Sequence, residues 1–470
     1  MIPLVLDPDR LFPSDPATRA VARALYDSVR DLPIVSPHGH TEARWFADNA
    51  PFPDPAALFI VPDHYVFRML YSQGVSMDDL GVPARDGSRL PYDARAIWRR
   101  FASRYHLFRG TPTRLWLDHA FHDVFGIDER LTAESADRCF DKIETCLGED
   151  AFRPRALFER FNIEVIATTE SPLDPLDCHR AIRASGWEGR VVTAYRPDPV
   201  VDPEFDGFAD NVAQLGEMTG ENAATWTGYL AAHRARRAFF KSMGATSTDH
   251  GHPTARTADL DPAQCQCLLD RALAGTLAAG EAELFRAQVL TEMAAMSQDD
   301  GLLMQIHPGS FRNHNPAVYA RFGRDKGADI PTPTGYVDAL KPLLDRFGNA
   351  RDFTLILFTL DETTYARELA PLAGHYPALR LGPPWWFHDS FQGMLRFLEQ
   401  AIETAGFYNT VGFNDDTRAF LSIPARHDVW RRVTCRFLAN AAVEYRMGED
   451  EAFELAPLLA RDLARAAYKL

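Results

Sequence analysis

Apolar Val21, Leu25, Val29 and Leu32 recur at helical spacing behind Asp15, a fitting N-cap, and Pro16, whose fixed backbone suits the first helical position. The pattern predicts a helix that Pro33 stops. A short apolar stretch, Ile34-Val35, then runs into Ser36-Pro37-His38-Gly39-His40 and predicts a first strand. Residues 41–161 are rich in proline, aspartate and aromatics, with helical spacing over 96–105 and 114–124 and no strand alternation. Beyond them, short apolar or β-branched runs alternate with helical stretches, at 163–169, 191–195, 238–243, 302–306, 353–360, 379–381 and 410–413. Apolar strands separated by helices predict a parallel sheet covered on both faces. With 34–36 the runs number eight, the count of a (β/α)8 barrel. The expected fold is thus an α/β, TIM-like barrel forming a single domain over 1–470, with 41–161 as a mostly helical insertion after the first strand. No G-x-G-x-x-G follows any run, which disfavours a doubly wound dinucleotide-binding sheet.

Charge and composition narrow the partners. The 470 residues carry 50 Lys+Arg against 65 Asp+Glu, a net charge of −15, and 46% are hydrophobic. This is a globular composition, and its acidic balance argues against a nucleic-acid partner. No apolar run approaches the roughly 20 residues of a membrane helix. Asp7 and Asp9, with no basic stretch before them, do not read as a signal peptide. A cytoplasmic protein with no membrane partner is expected, and a homo-oligomer is compatible with the sequence. Six scattered cysteines are too few for a disulfide scaffold, and Cys265 and Cys267 read as ordinary thiols on a helix.

In a barrel the chemistry stands at the C-terminal ends of the strands. Those positions hold His38-Gly39-His40, Thr168-Thr169-Glu170-Ser171, Arg196-Pro197-Asp198, His307-Pro308-Gly309 with Arg312, Asp361-Glu362, Trp385-Trp386 and Asn414-Asp415-Asp416-Thr417-Arg418; past the fourth run lies Asp249-His250-Gly251-His252. His38 and His40, two apart, would share one face of an extended segment and converge on one divalent metal ion. His307 and Asp416 could complete the ligand set from other strands. His250 and His252 form a second H-x-H pair. They are expected in a loop with no strand beneath it, His252 in a surface or hydrogen-bonding role, while Asp249 can face the site. Of the adjacent Asp415 and Asp416, at most one can point inward. Arg196, Arg312 and Arg418 offer planar forks for a substrate carboxylate, or pair with Asp198, Asp249 and Asp415 as scaffold. Trp385 and Trp386 could line a sugar pocket, and His64 and Tyr65 lie in the insertion, where a loop could fold over the barrel mouth.

At these residues the chain resembles the uronate isomerases (glucuronate isomerases) of the amidohydrolase superfamily. The resemblance runs nearly end to end, through Asp7-Pro8-Asp9-Arg10-Leu11-Phe12-Pro13, the segment from Asp31 to His40, Asn49 to Pro55, Asp63-His64-Tyr65, Arg196-Pro197-Asp198, Asp249-His250-Gly251, Trp385-Trp386 and Asp416 to Ser422. It implies a (β/α)8 barrel and interconversion of D-glucuronate with D-fructuronate and of D-galacturonate with D-tagaturonate. It also implies one divalent metal ion, zinc by preference, on His38, His40 and Asp416, with His307 close by. Arg196 and Arg418 match the family's strand-end arginines, and His64 and Tyr65 its loop pair. The chain departs from the family pattern at Glu170-Ser171 and at Asn414-Asp415, which leaves Glu170 without an assigned role. The expected catalytic set is Asp416, Tyr65, His64 and Arg418; the expected substrate contacts are Arg196, Arg418, Trp385, Trp386, His307, Asp249 and Arg312. The substrate is a small uronic acid, isomerised by proton transfer through an enediol. Two other functions compete: a metal-dependent hydrolase of a carboxylate-bearing lactone or amide, for which Lys241 is the one candidate bridging lysine, and a non-catalytic uronate-binding barrel.

Overall fold

The computed structural model describes residues 2–88 and 90–470. The first helix, Pro16–Val29, begins where the sequence predicts. The Asp15 carboxylate accepts the Thr18 backbone N–H, and Pro16 needs no partner for a missing one. Its apolar side packs Leu25 and Val29 with Leu438, Ala439 and Leu455 of later helices.

The strands are β1 (Ile34–Ser36), β2 (Ile163–Glu170), β3 (Arg190–Tyr195), β4 (Ser247–His250), β5 (Leu303–Ile306), β6 (Ser310–Phe311), β7 (Ile330–Pro331), β8 (Leu355–Leu357) and β9 (Leu379–Leu381). Seven form one parallel sheet in the order β1-β2-β3-β4-β5-β8-β9, and β6 pairs antiparallel with β7 apart from it. The run at 410–413, expected as a full strand, joins the β9 edge by a single parallel bridge between Leu381 and Thr410. The same segment reaches the other edge, where the His40 N–H donates to the Thr417 carbonyl at 3.0 Å. The sheet is therefore curled, its edges meeting across residues 410–418.

Alternate side chains separate two cores, as the period of two requires. Ile166, Met304, Leu355 and Leu357 face the covering helices. Val35, Val165, Leu303, Ile356 and Val411 face inward, packed with Ala464 and Tyr468 from the last helical segment. Tyr468 donates its hydroxyl to Gln305 Oε1 at 2.6 Å and accepts from Asn414 Nδ2 at 3.0 Å. Between β1 and β2 the elements are helices or single helical turns. Phe46, Phe59, Trp98, Phe101 and Phe121 among them share a core with Ile34, Ile163 and Ile166. Among the described residues no helix is long and apolar enough to cross a membrane.

One predicted strand is misplaced. The run at 238–243 belongs to the Trp226–Ser242 helix, which Thr225 caps by accepting the Gly228 N–H. A short apolar run does not by itself distinguish strand from buried helix. The fourth strand is the polar Ser247-Thr248-Asp249-His250, so His250 ends a strand rather than sitting in a loop.

Candidate active site

A pocket of about 320 Å³ opens where the strands end. His38 and His40 follow β1, Glu170 ends β2, Arg196 follows β3, His307 follows β5, Trp385 and Trp386 follow β9, and Asp416 and Arg418 follow the closing segment. At its floor the His38 Nε2 lies 3.5 Å from Asp416 Oδ1 and 4.0 Å from Asp249 Oδ2. The His40 Nε2 lies 3.2 Å from the same Asp416 oxygen, and the His307 Nε2 3.9 Å from its other one. Potential ligand atoms of His38, His307 and Asp416, and of His38, His40 and Asp249, lie within 4.8 Å of one another. The expected trio is thus joined by two more donors, His307 and Asp249.

Their protonation suits a cation. Burial pushes the His38 imidazolium down to about 4, against the pull of Asp416 and Asp249. Burial would raise the Asp416 carboxyl, but His38, His40 and His307 hold it well below the carboxylate range. Burial acts likewise on Asp249, where Arg196 and His307 overcome it. An ionised carboxylate only accepts, so the 2.7 Å contact of His307 Nδ1 with Asp249 Oδ1 is a donation by the ring. The buried His307 Nε2 has no hydrogen-bond partner of its own and faces Asp416. Three imidazoles beside two ionised carboxylates, one ring oriented by a carboxylate behind it, form a donor set that fits a divalent metal ion.

The neighbouring aspartates part as the geometry of adjacent residues demands. Asp416 faces the histidines from a left-handed backbone, φ 36°, while buried Asp415 turns away to accept from His427 Nε2 at 3.1 Å. Asn313, Asp325 and Trp386 are also left-handed non-glycine residues of this pocket. Such backbone strain, concentrated in one place, is a common mark of a working site.

All three candidate clamp arginines line the pocket, and each faces a carboxylate. Arg196 donates from Nε to Asp198 Oδ2 at 2.8 Å and from an Nη to Asp249 Oδ2 at 2.9 Å. A Cβ on Gly251 would come within 2.4 Å of its remaining Nη, so only glycine leaves room for the guanidinium there. Arg312 donates to Asp329 at 3.1 Å, its guanidinium stacked over the Trp386 ring. Arg418 lies 3.2 Å from Asp325. Glu170, bonded by the Thr193 hydroxyl, is pushed up to about 7 by burial.

His64 and Tyr65 open the His64–Ser72 helix behind Asp63, which caps it through the Tyr65 N–H at 2.8 Å. The rings stack 4.6 Å apart. The Tyr65 hydroxyl donates to the Trp386 carbonyl at 3.1 Å, and burial raises its ionisation far above the usual phenol range. The His64 Nε2 is buried without a partner, and burial, then Arg418, pushes the ring down to about 3. Trp385 is buried edge-on against His307, 4.7 Å between centroids.

Several expectations need correction. His252 is buried, lines the pocket, and neither ring nitrogen has a partner, so it is no surface residue. His250 points to the helix side of β4, with Ile306 as register partner, and leaves the inner face to Asp249 opposite Gln305. Lys241 lies exposed on a helix and donates to the Asp300 carbonyl, away from the pocket, so it bridges no metal pair. Asp361 caps Thr334 and Thr363, and Glu362 pairs with His388 and Arg396; neither lines the pocket. Sequence reasoning missed Asp325, whose signal was a charged triplet, Arg324-Asp325-Lys326, between Gly323 and Gly327.

Comparison with known proteins gives a consistent picture. The family profile described as glucuronate isomerase matches residues 16–464. A uronate isomerase of Mesorhizobium japonicum is 67% identical over 464 residues, 99% of each chain. The crystal structure of glucuronate isomerase from Caulobacter crescentus superposes with a TM-score of 0.98 at 60% identity, over 99% of this chain and 97% of that one. The structure of uronate isomerase from Thermotoga maritima gives a TM-score of 0.91 at 26% identity, over 99% of each chain.

Proposed function

The chain belongs to the glucuronate isomerase family, and from that premise we propose that it interconverts D-glucuronate with D-fructuronate and D-galacturonate with D-tagaturonate, by proton transfer through an enediol. The observation that carries this reading is an ionised carboxylate, Asp416, among three imidazoles beneath a rim of arginines. The fold is read as a (β/α)8 barrel in a single domain over 1–470, with 41–161 its mostly helical insertion, in a cytoplasmic enzyme.

His38, His40 and Asp416 would hold one divalent metal ion, with His307 and Asp249 beside them; N and O donors of this kind suit zinc. When bound, the ion supplies Lewis acidity toward a substrate oxygen. Arg418, Arg312 and Arg196 bind the remote carboxylate and so orient the sugar chain over Asp416. Isomerisation moves the carbonyl from C1 to C2: a proton leaves C2, an enediol forms, and a proton arrives at C1. Of the three acid–base candidates, Tyr65 keeps its proton, while His64 and Asp416 both stand unprotonated; Asp416, the ionised carboxylate among the site histidines, is the base in this reading. Tyr65 and His64 hold the reacting oxygens by hydrogen bonds, and Trp385 and Trp386 exclude water from that side. Glu170, neutral at pH below about 7, adds no negative charge to repel the anionic substrate.

The test is turnover. Purified protein given D-glucuronate or D-galacturonate should form the corresponding ketose, and Arg418→Met should lower kcat/KM by about 10- to 100-fold, the loss of one charge-assisted contact, without unfolding. No ketose from either uronate would remove the activity; an unchanged kcat/KM in Arg418→Met would return that arginine to the scaffold.

A further inference from the structure

Arg418 already holds a carboxylate. Asp325 lies on the segment joining the Pro316–Phe322 helix to β7, and its two oxygens address different arginines. One lies 3.2 Å from Arg418, the other 3.9 Å from Arg312. Burial works against ionisation of Asp325, but Arg418, Arg312 and Arg196 together hold it well below the carboxylate range. Two of the guanidiniums that face the pocket, Arg418 and Arg312, thus converge on one internal anion.

The segment is built as a flap. Gly323 and Gly327 bracket Asp325, both in the left-handed region, and Asp325 itself stands at φ 59°. At Gly327 an added Cβ would sit 2.7 Å from the Arg68 Cβ and 3.3 Å from the His64 carbonyl. The backbone therefore rests directly on the helix that carries His64 and Tyr65. Arg324, Asp325 and Gly327 all line the pocket. The Asp325 side chain is 47% exposed and that of Arg418 38%, so solvent reaches their contact and a second carboxylate can compete for it.

We infer that Asp325 is an internal competitor at the substrate clamp, a carboxylate that occupies the arginines until the substrate's own carboxylate displaces it. This rests on the assignment of Arg418 and Arg312 as the substrate clamp. A uronate pairs the arginines and frees the flap. A neutral hexose offers nothing in exchange for the Asp325 contact and leaves the flap closed. The same competition weakens uronate binding by the fraction of time the arginines are free.

Asp325→Asn and Asp325→Ser remove the competitor at a half-exposed position with little risk to the fold. Both should lower KM for D-glucuronate about two- to five-fold, the scale of one partly exposed ion pair. Both should tighten D-gluconate, an open-chain carboxylate, by a similar factor in calorimetric titration. D-glucose, which does not displace Asp325, should be unaffected as a competing ligand, so the preference for D-glucuronate over it should rise by the same factor. In an Arg418→Met background the Asp325→Asn effect should disappear. If Arg418→Met raises KM but both Asp325 variants leave KM unchanged or raise it, the clamp stands and the competitor is refuted. If Arg418→Met leaves uronate KM unchanged, the clamp assignment itself fails.

Discussion

Replacing Glu170 by glutamine should stabilise the protein above neutral pH and have almost no effect in acid. Burial at the end of β2 favours the uncharged carboxyl, so the folded chain holds that proton up to about 7, where an unfolded glutamate releases it near 4.5. The contribution is fully present below pH 4.5 and fades as pH rises through 7, because above that the fold must carry a buried anion. The interval between the two values is worth about 3 kcal/mol. Glutamine is neutral at every pH and keeps the contribution throughout. For a cooperative unit of this size, with an unfolding entropy of about 1 kcal/mol per kelvin, the gain at pH 8 should appear as a rise in Tm of about 3 °C. Scanning calorimetry of both proteins at pH 4.5 and pH 8 reads the difference directly. A Tm difference that does not change with pH, or a loss of stability at pH 8, would mean that the hydroxyls around Glu170 hold it ionised and that its neutral state is wrong.

Two further sets of outcomes follow from the site. His38→Ala, His40→Ala and Asp416→Ala should each lower bound metal measured by elemental analysis, whereas Asp415→Asn should keep it and lose about 1–3 kcal/mol of stability through its buried contact with His427; full metal content in any of the first three removes that residue from the ligands. Turnover in heavy water should put deuterium on C1 of the ketose, and Tyr65→Phe and His64→Asn should slow labelling and turnover together. Retention of a C2 deuterium through many turnovers in ordinary water would exclude proton transfer.

Most of the strand ends were legible because a parallel strand buried on both faces is a continuous apolar run that stops abruptly at polar residues. Ile34 to Ser36 before His38, and Leu303 to Ile306 before His307, show this directly. The fourth strand hid for the opposite reason. Asp249 is inward and paired with His307 and Arg196, so the strand's buried side is polar and resembles a loop. Meanwhile the apolar end of the preceding helix imitated a strand. That Asp415 and Asp416 face opposite ways followed from the alternation of neighbours, and the choice of Asp416 as the inward one from the family resemblance. Asp325 lay beyond such reasoning, since no periodic element places it and only the tertiary closure of the Gly323–Gly327 turn brings it to Arg418.

The seam between residues 410–418 and the first strand joins opposite ends of the chain, and Tyr468 locks it from within through Gln305 and Asn414. The His40–Thr417 contact closes a loop of several hundred residues and the Tyr468–Gln305 contact one of 163, so their entropy is lost before any enthalpy returns. During synthesis the β1–β5 strands can pair as they emerge, yet His38 and His40 have no Asp416 to meet until the several hundred residues between them have been made. The metal-ready pocket is consequently a late product of folding, and a nascent or truncated chain carries its histidines exposed and unassembled. Activity in this architecture reports the closure of that seam as faithfully as the identity of its catalytic groups.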